Sequence, residues 1–239
     1  MKHPLQLLAA VTVSGLATLM ATPAQAASLN FSLSPFTGDN AKVDVWLLEN
    51  GSNIDVKVDV DRSVALADLQ GIFFNVANES ILPSLGLVNK GAGVGESKFL
   101  ANSVDTVGKN VRLVGGDSNQ NPCSPTGGCD GGIEIGTKGI GKDDIQSTSW
   151  TFTRRDGQAL TLKDFAGMSW GIRATSVGTG NNREGSTKLA GVVGTLLDPQ
   201  EPSADVPEPA VLMALGLFAV GAGYTIKRKS EGAAVPQTI

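Results

Sequence analysis

The chain has 239 residues, with 19 Lys+Arg against 23 Asp+Glu and a formal net charge of −4 at pH 7. Between residues 27 and 226 it carries 15 basic and 22 acidic side chains, a net of −7, which argues against nucleic acid as a partner because a polyphosphate demands a basic face. The only histidine, His3, lies at the extreme N-terminus, so the body holds no Ser-His-Asp or Cys-His set and no histidine metal ligand.

Residues 1–26 read as a signal peptide. Lys2 supplies a basic start, Leu5 to Met20 an apolar core, and Ala24-Gln25-Ala26 small residues at the last and third-last positions of a signal-peptidase site. Cleavage after Ala26 exports the rest. The ~180 residues that follow suffice for one hydrophobic core and are few for two.

Residues 27–198 read as one β domain. Ile54 to Val60 alternates apolar and charged residues, and Lys42 to Glu49 places Val43, Val45 and Leu47 on alternate positions. Asn50-Gly51, the usual hairpin dipeptide, joins them. Further strands are predicted at Leu69–Ala77, Leu85–Val88, Val111–Val114, Ile133–Ile135, Thr148–Thr153, Ser169–Ser176 and Lys188–Thr195. Single turns of helix are expected at Ser63–Asp68 and Leu162–Phe165. Short strands separated by glycine (30 in the chain) predict an antiparallel β-sandwich of jelly-roll-like form. Its core is expected to rest on Trp46, Phe73, Trp150, Phe152, Phe165 and Trp170, since each aromatic buries a large apolar area. The alternative use of the tryptophans is a sugar-stacking platform.

The loop from Asp117 to Asp130 holds both cysteines, Cys123 and Cys129. In an exported protein these are expected to form a disulfide that staples a surface loop, worth roughly 2 kcal/mol by chain entropy. The same loop offers Asp117, Asn119, Asn121 and Asp130, hard oxygen ligands of the kind Ca²⁺ uses. Pro122 stands where an EF-hand needs glycine, and Asx residues in turns commonly satisfy their own backbone. Farther on, Glu134, Asp143, Asp144 and Glu184 are the acids from which a glycosidase pair could be drawn. With Arg173 and Arg183 they could equally form a charged surface network.

Residues 199–209 form a proline-rich linker ending in Val206-Pro207-Glu208-Pro209. Residues 210–226 are uncharged and apolar, roughly 25 Å long as a helix, enough for a short membrane span. Residues 227–239 begin with Lys227-Arg228-Lys229, which hold that end on the cytoplasmic side. This order of motif, apolar run and basic cluster resembles a PEP-CTERM sorting signal. Residues 231–239 extend past the cluster, where many such signals stop. The segments Gly132–Ser149, Gly171–Gly178 and Arg183–Leu189 resemble stretches recurrent in cyanobacterial PEP-CTERM proteins.

The resemblance implies removal of the tail by an exosortase, a membrane transpeptidase-like protease, and delivery to the envelope or extracellular polymer of a Gram-negative bacterium. The expected protein is therefore non-enzymatic, exported through the inner membrane and transiently anchored. Signal peptidase and exosortase process it, and extracellular polysaccharide is its candidate partner. It requires no cofactor in this reading. The alternative is a Ca²⁺-assisted carbohydrate-binding module at the cell surface; a glycan-active enzyme is the third reading.

Overall fold

A computed structural model describes residues 26–113, 122–123 and 127–196. The signal-peptide core, the sorting motif and the apolar tail lie outside these residues. Twelve strands run in chain order: β1 (Ser28–Gly38), β2 (Val43–Asn50), β3 (Asn53–Val60), β4 (Leu66–Phe74), β5 (Leu85–Val88), β6 (Val94–Val104), β7 (Thr106–Val107), β8 (Val111–Arg112), β9 (Cys129–Ile135), β10 (Ser147–Arg154), β11 (Ser169–Thr179) and β12 (Asn182–Val192). Ten of them make one antiparallel sheet in the order β5-β10-β3-β2-β1-β12-β11-β4-β9-β6, and β7 and β8 form a separate hairpin. Among the described residues, no helix is long and apolar enough to cross a membrane.

The sheet turns its corner at β1. Ser28 to Leu33 pair with β2, whereas Ser34 to Gly38 pair with β12. The register slips between Pro35 and Thr37, and a bulge suits a proline that has no N–H to give to a ladder. On one side of this corner lies a half-sheet of β5, β10, β3 and β2. On the other lie β12, β11, β4, β9 and β6. The chain crosses between the halves from β3 to β4, β4 to β5, β5 to β6, β9 to β10 and β10 to β11. The result is all-β, consistent with a sandwich- or barrel-like architecture.

The inward residues of both halves share one apolar layer. Val43, Val45, Leu47, Ile54, Val56 and Val58 come from the first half, and Ile72, Phe74, Ile133, Trp170, Ile172 and Leu189 from the second. Phe74 lies 5.2 Å from Phe152 on β10 and 5.1 Å from Trp170 on β11, centroid to centroid, and so ties the two halves directly. Phe165, just after a short 3-10 turn at Leu162–Asp164, stacks on Phe152 at 5.2 Å. The turn expected at 162–165 is thus present. Ser63–Asp68 is not helical: residues 62–64 turn, and β4 begins at Leu66.

The second half-sheet is buried on its outer face as well. There Phe73, Val104, Val107, Val111, Leu113 and Cys129 form a second apolar cluster, with residues 104–113 folded back over β4, β9 and β11. This layer fits because glycine occupies the facing positions. In register across three strands stand Gly171, Phe73 and Gly132. A Cβ on Gly171 would fall 2.3 Å from Leu113 Cδ2, and one on Gly132 would fall 2.6 Å from Val107 Cγ1. Overpacking of this kind typically costs about 1–3 kcal/mol. Gly171→Ala is expected to lose that amount in urea unfolding. The loss should shrink in a Leu113→Ala background, because the two side chains compete for the same space. An equal loss in both backgrounds would refute the packing assignment.

Candidate functional site

The outer face of the first half-sheet is the open one. Alternation places Val43, Val45 and Leu47 inward on β2 and therefore turns Trp46 and Leu48 outward. The same rule exposes Asp55 and Lys57 on β3 and Ser149 on β10. Register aligns these into rows. Asn30, Trp46, Lys57 and Ser149 lie side by side, and beside them Ser28, Leu48, Asp55, Thr151 and Val88. Trp46 is 37% exposed, against 1% for Trp150 and 0% for Trp170. The expectation of three core tryptophans thus fails at Trp46. The alternation of its neighbours already assigned it to the other face.

Trp46 is flanked by a cation and a fixed polar chain. Lys57 Nζ sits 5.2 Å from the indole centroid, in cation–π range, and also pairs with Asp59. Burial alone would raise the Asp59 carboxyl, but its bonds from Lys57 and Ser147 outweigh burial and hold it below the usual carboxylate range. Thr151 donates to Asp55 at 2.6 Å and accepts from Asn89 Nδ2 at 3.2 Å; Asn50 Nδ2 donates to the other Asp55 oxygen at 2.9 Å. Asp55, Lys57, Asn89 and Thr151, together with Ser147 and Ser149, edge an open cleft of about 610 Å³ beside Trp46. An exposed indole flanked by oriented hydroxyl, amide and carboxylate groups has what a pyranose needs: an apolar platform for its C–H face and donors and acceptors for its hydroxyls.

Cys123 and Cys129 are bonded to each other, and Cys129 is buried in the outer cluster. The bond therefore fastens a loop onto the second half-sheet. Of the four candidate Ca²⁺ ligands, Asp117, Asn119 and Asn121 lie outside the described residues. Asp130 is buried, and both its oxygens serve the backbone: Oδ2 accepts from Val76 N at 3.0 Å and Oδ1 from Asn102 N at 2.8 Å. Asn75 Oδ1 in turn accepts from Asp130 N at 3.2 Å. Asp130 is thus a cross-link between β9, the end of β6 and the segment after β4. Among the described residues, no three His, Cys, Asp or Glu side chains converge as metal ligands.

The four acids weighed as a glycosidase pair go separate ways. Asp143 accepts from Thr137 N, Asp144 pairs with Arg183, Glu184 is exposed on β12, and Glu134 lies against Gly95 and Gly108. The bond from Arg183 is the main reason that the Asp144 carboxyl lies below the usual carboxylate range. Arg183 also donates to Ser176 O at 3.0 Å, so this part of the expected charged network closes the β11–β12 hairpin against the loop before β10.

No protein family, curated protein or solved structure matches the chain.

Acrylamide should quench the fluorescence of a single tryptophan. Trp46→Phe should abolish that accessible fraction and leave the shielded emission of Trp150 and Trp170. Strong quenching persisting in the variant would contradict the burial of the other two.

Proposed function

We propose that the chain is an exported, non-enzymatic binding protein, displayed at the cell envelope or released from it after its tail is processed. One observation carries this reading: a signal-peptidase site at Ala24–Ala26 opens a chain that closes with Val206-Pro207-Glu208-Pro209, an apolar run and Lys227-Arg228-Lys229. An exosortase is the processing enzyme this order implies. The disulfide between Cys123 and Cys129 supports an oxidising destination. We read the folded sheet as a jelly-roll-like sandwich, which suits an ectodomain that presents its loops and one open face to solvent.

A second reading is favoured by Trp46: a carbohydrate-binding module at the cell surface, with extracellular polysaccharide as partner. Calcium assistance would draw on Asp117, Asn119 and Asn121. Asp130 is the weakest member of that set, because its oxygens already hold Val76 and Asn102.

The sorting claim is tested in the native host. Protein recovered from the surface fraction is expected to end around Glu208 or Pro209 by intact mass. Glu208→Ala should leave the chain in the inner membrane, with its C-terminus at Ile239. Unchanged release of that variant, or wild-type surface protein that still ends at Ile239, would overturn the claim.

A further inference from the structure

Among the described residues, four cations converge on a cleft of the otherwise acidic body. Its floor is the outer face of the second half-sheet beyond the edge of the glycine-lined layer: Gln70 on β4, Arg173 and Thr175 on β11, Ser186 and Lys188 on β12. One wall is Asn110, Val111 and Arg112 at the β7–β8 hairpin. The other is Lys138, Gly139 and Ile140 in the loop after β9. The cleft is about 360 Å³, at the small end of ligand sites, and among the described residues no carboxylate lines it.

The four cations are not spent on partners of opposite charge. Among the described residues, none of Arg112, Lys138, Arg173 and Lys188 forms a salt bridge. Arg173 reaches only a backbone carbonyl, Thr187 O, through Nη1 at 3.4 Å, and Lys138 Nζ donates to Asn110 O at 3.1 Å. Arg173 and Lys188 stand directly opposite each other on β11 and β12, an arrangement that repels within an antiparallel pair. Burial lowers the Arg173 guanidinium below its ordinary range; burial and then Arg173 itself lower Lys188. An isolated fold gains nothing from such a pair. An anion placed between them removes the repulsion.

The floor beneath them is rigid. Gln70 donates to Asp68 Oδ2 at 2.8 Å and accepts from Gly139 N at 2.9 Å, and Asp68 Oδ1 accepts from Ile145 N at 2.8 Å. These bonds fix the loop carrying Lys138 and Ile140 against the sheet, so little ordering remains to be done when a ligand arrives. The guanidinium offers a planar fork that matches a carboxylate, and Lys188 adds a point charge. Thr175 and Ser186 place hydroxyls beside the cations, while Val111 and Ile140 supply apolar wall. A densely charged polymer would meet the net negative charge of the surrounding body with every one of its charges, whereas a single anionic group on a small polar scaffold meets it only once.

We propose that this cleft binds the carboxylate of a compact, hydroxylated acid of sugar-acid size, with Arg173 and Lys188 as the anion-binding pair. The site lies on the opposite half-sheet from Trp46 and does not depend on the sorting signal or on the carbohydrate reading of that face.

The test is calorimetric titration of the full chain, in detergent at low salt, with galacturonate, trigalacturonate, galactose and inorganic sulfate. Galacturonate or its trimer should bind, galactose should not, and added salt should weaken binding. Arg173→Gln and Lys188→Gln should each weaken it by about tenfold or more, while Lys163→Gln, on an exposed turn elsewhere, should not. Without ligand, the two cleft variants should melt no lower than the wild type, because each relieves a like-charge contact. With ligand, only the wild type and Lys163→Gln should gain in Tm. Tighter binding of the trimer than of the monomer would identify the source as a residue within a chain; equal binding would identify the free acid. Sulfate binding as tightly as galacturonate would reduce the site to a general oxyanion receptor and overturn the sugar-acid assignment. No binding, or binding unaffected by either cleft variant, would overturn the site itself.

Discussion

The contact on which the rest depends is Phe74 against Phe152 and Trp170. One sheet of ten strands has two far ends, and each would leave an apolar face wet unless the sheet folded over on itself. Phe74 projects from β4 into the space where β10 of the other half arrives, and edge-to-face and stacked geometry place its ring between the two. Phe99 on β6, the last strand at one end, also reaches to 6.4 Å from Phe152. Aromatic pairs of this type add about 0.5–1.5 kcal/mol each beyond their buried area. The corner in β1 makes the closure possible, and the aromatic layer makes it favourable.

Closure leaves the two outer faces unequal, and that inequality sets where recognition can occur. Among the described residues nothing covers the outside of the first half-sheet, so Trp46 and its polar neighbours face solvent. The second half-sheet is roofed by residues 104–113, and the Cys123–Cys129 bond and the Asp130 cross-link tie Cys123, Val76 and Asn102 to β9 beside that roof. Past Arg112, among the described residues, the faces of β11 and β12 open into the cationic cleft, and this edge of the roof becomes its wall. The glycines at 132 and 171 thus act at a distance: by letting the roof lie close, they fix where it stops.

How much of this was legible follows from the same inequality. Strands β2 and β3 are buried on one face only, so their period of two stands plainly in Val43, Val45, Leu47 and in Ile54 to Val60. Strand β9 is buried on both faces and begins with a cysteine, an acid and two glycines; only Ile133 to Ile135 reads as strand, because glycine has no side chain to signal a face. Strand β6, at the sheet edge, alternates weakly; β1 alternates strictly from Ser28 to Ser34, with Leu29, Phe31 and Leu33 on one face, and was legible although it is absent from the strands predicted above. In the 63–68 stretch Asp61 accepts from Ser63 N at 3.0 Å and opens a single turn, closed by Val64 N and Ala65 N on Asp61 O, and β4 takes over at Leu66. Exposure of Trp46 was implicit in the alternation of β2. The meeting of Arg112, Lys138, Arg173 and Lys188 was not, since it needs the β11–β12 register and the position of the roof, and both are tertiary.

Charge distribution gives the last step. A body with net −7 has no shortage of carboxylates with which to neutralise four cations, and elsewhere it does so: Lys42 bridges Asp44 and Asp61, Arg154 pairs with Asp156, and Arg183 with Asp144. Exposed pairs of this kind contribute little to stability, but they show how readily acids sit beside bases on this surface. Other cations, such as Arg62, Lys90 and Lys163, also form no salt bridge among the described residues, but they are exposed; Arg173 and Lys188 are half-buried, where desolvation makes an unneutralised cation more costly. Asp68 lies near enough to hold Gln70, yet its own oxygens are turned to Gln70 and Ile145 and not to Arg173, and burial raises its carboxyl above the usual range. The sequence could have placed an acid opposite Arg173 on β12, where the register puts Lys188 instead. A fold that carries this cost in a rigid, solvent-open cleft is arranged for a charge supplied from outside.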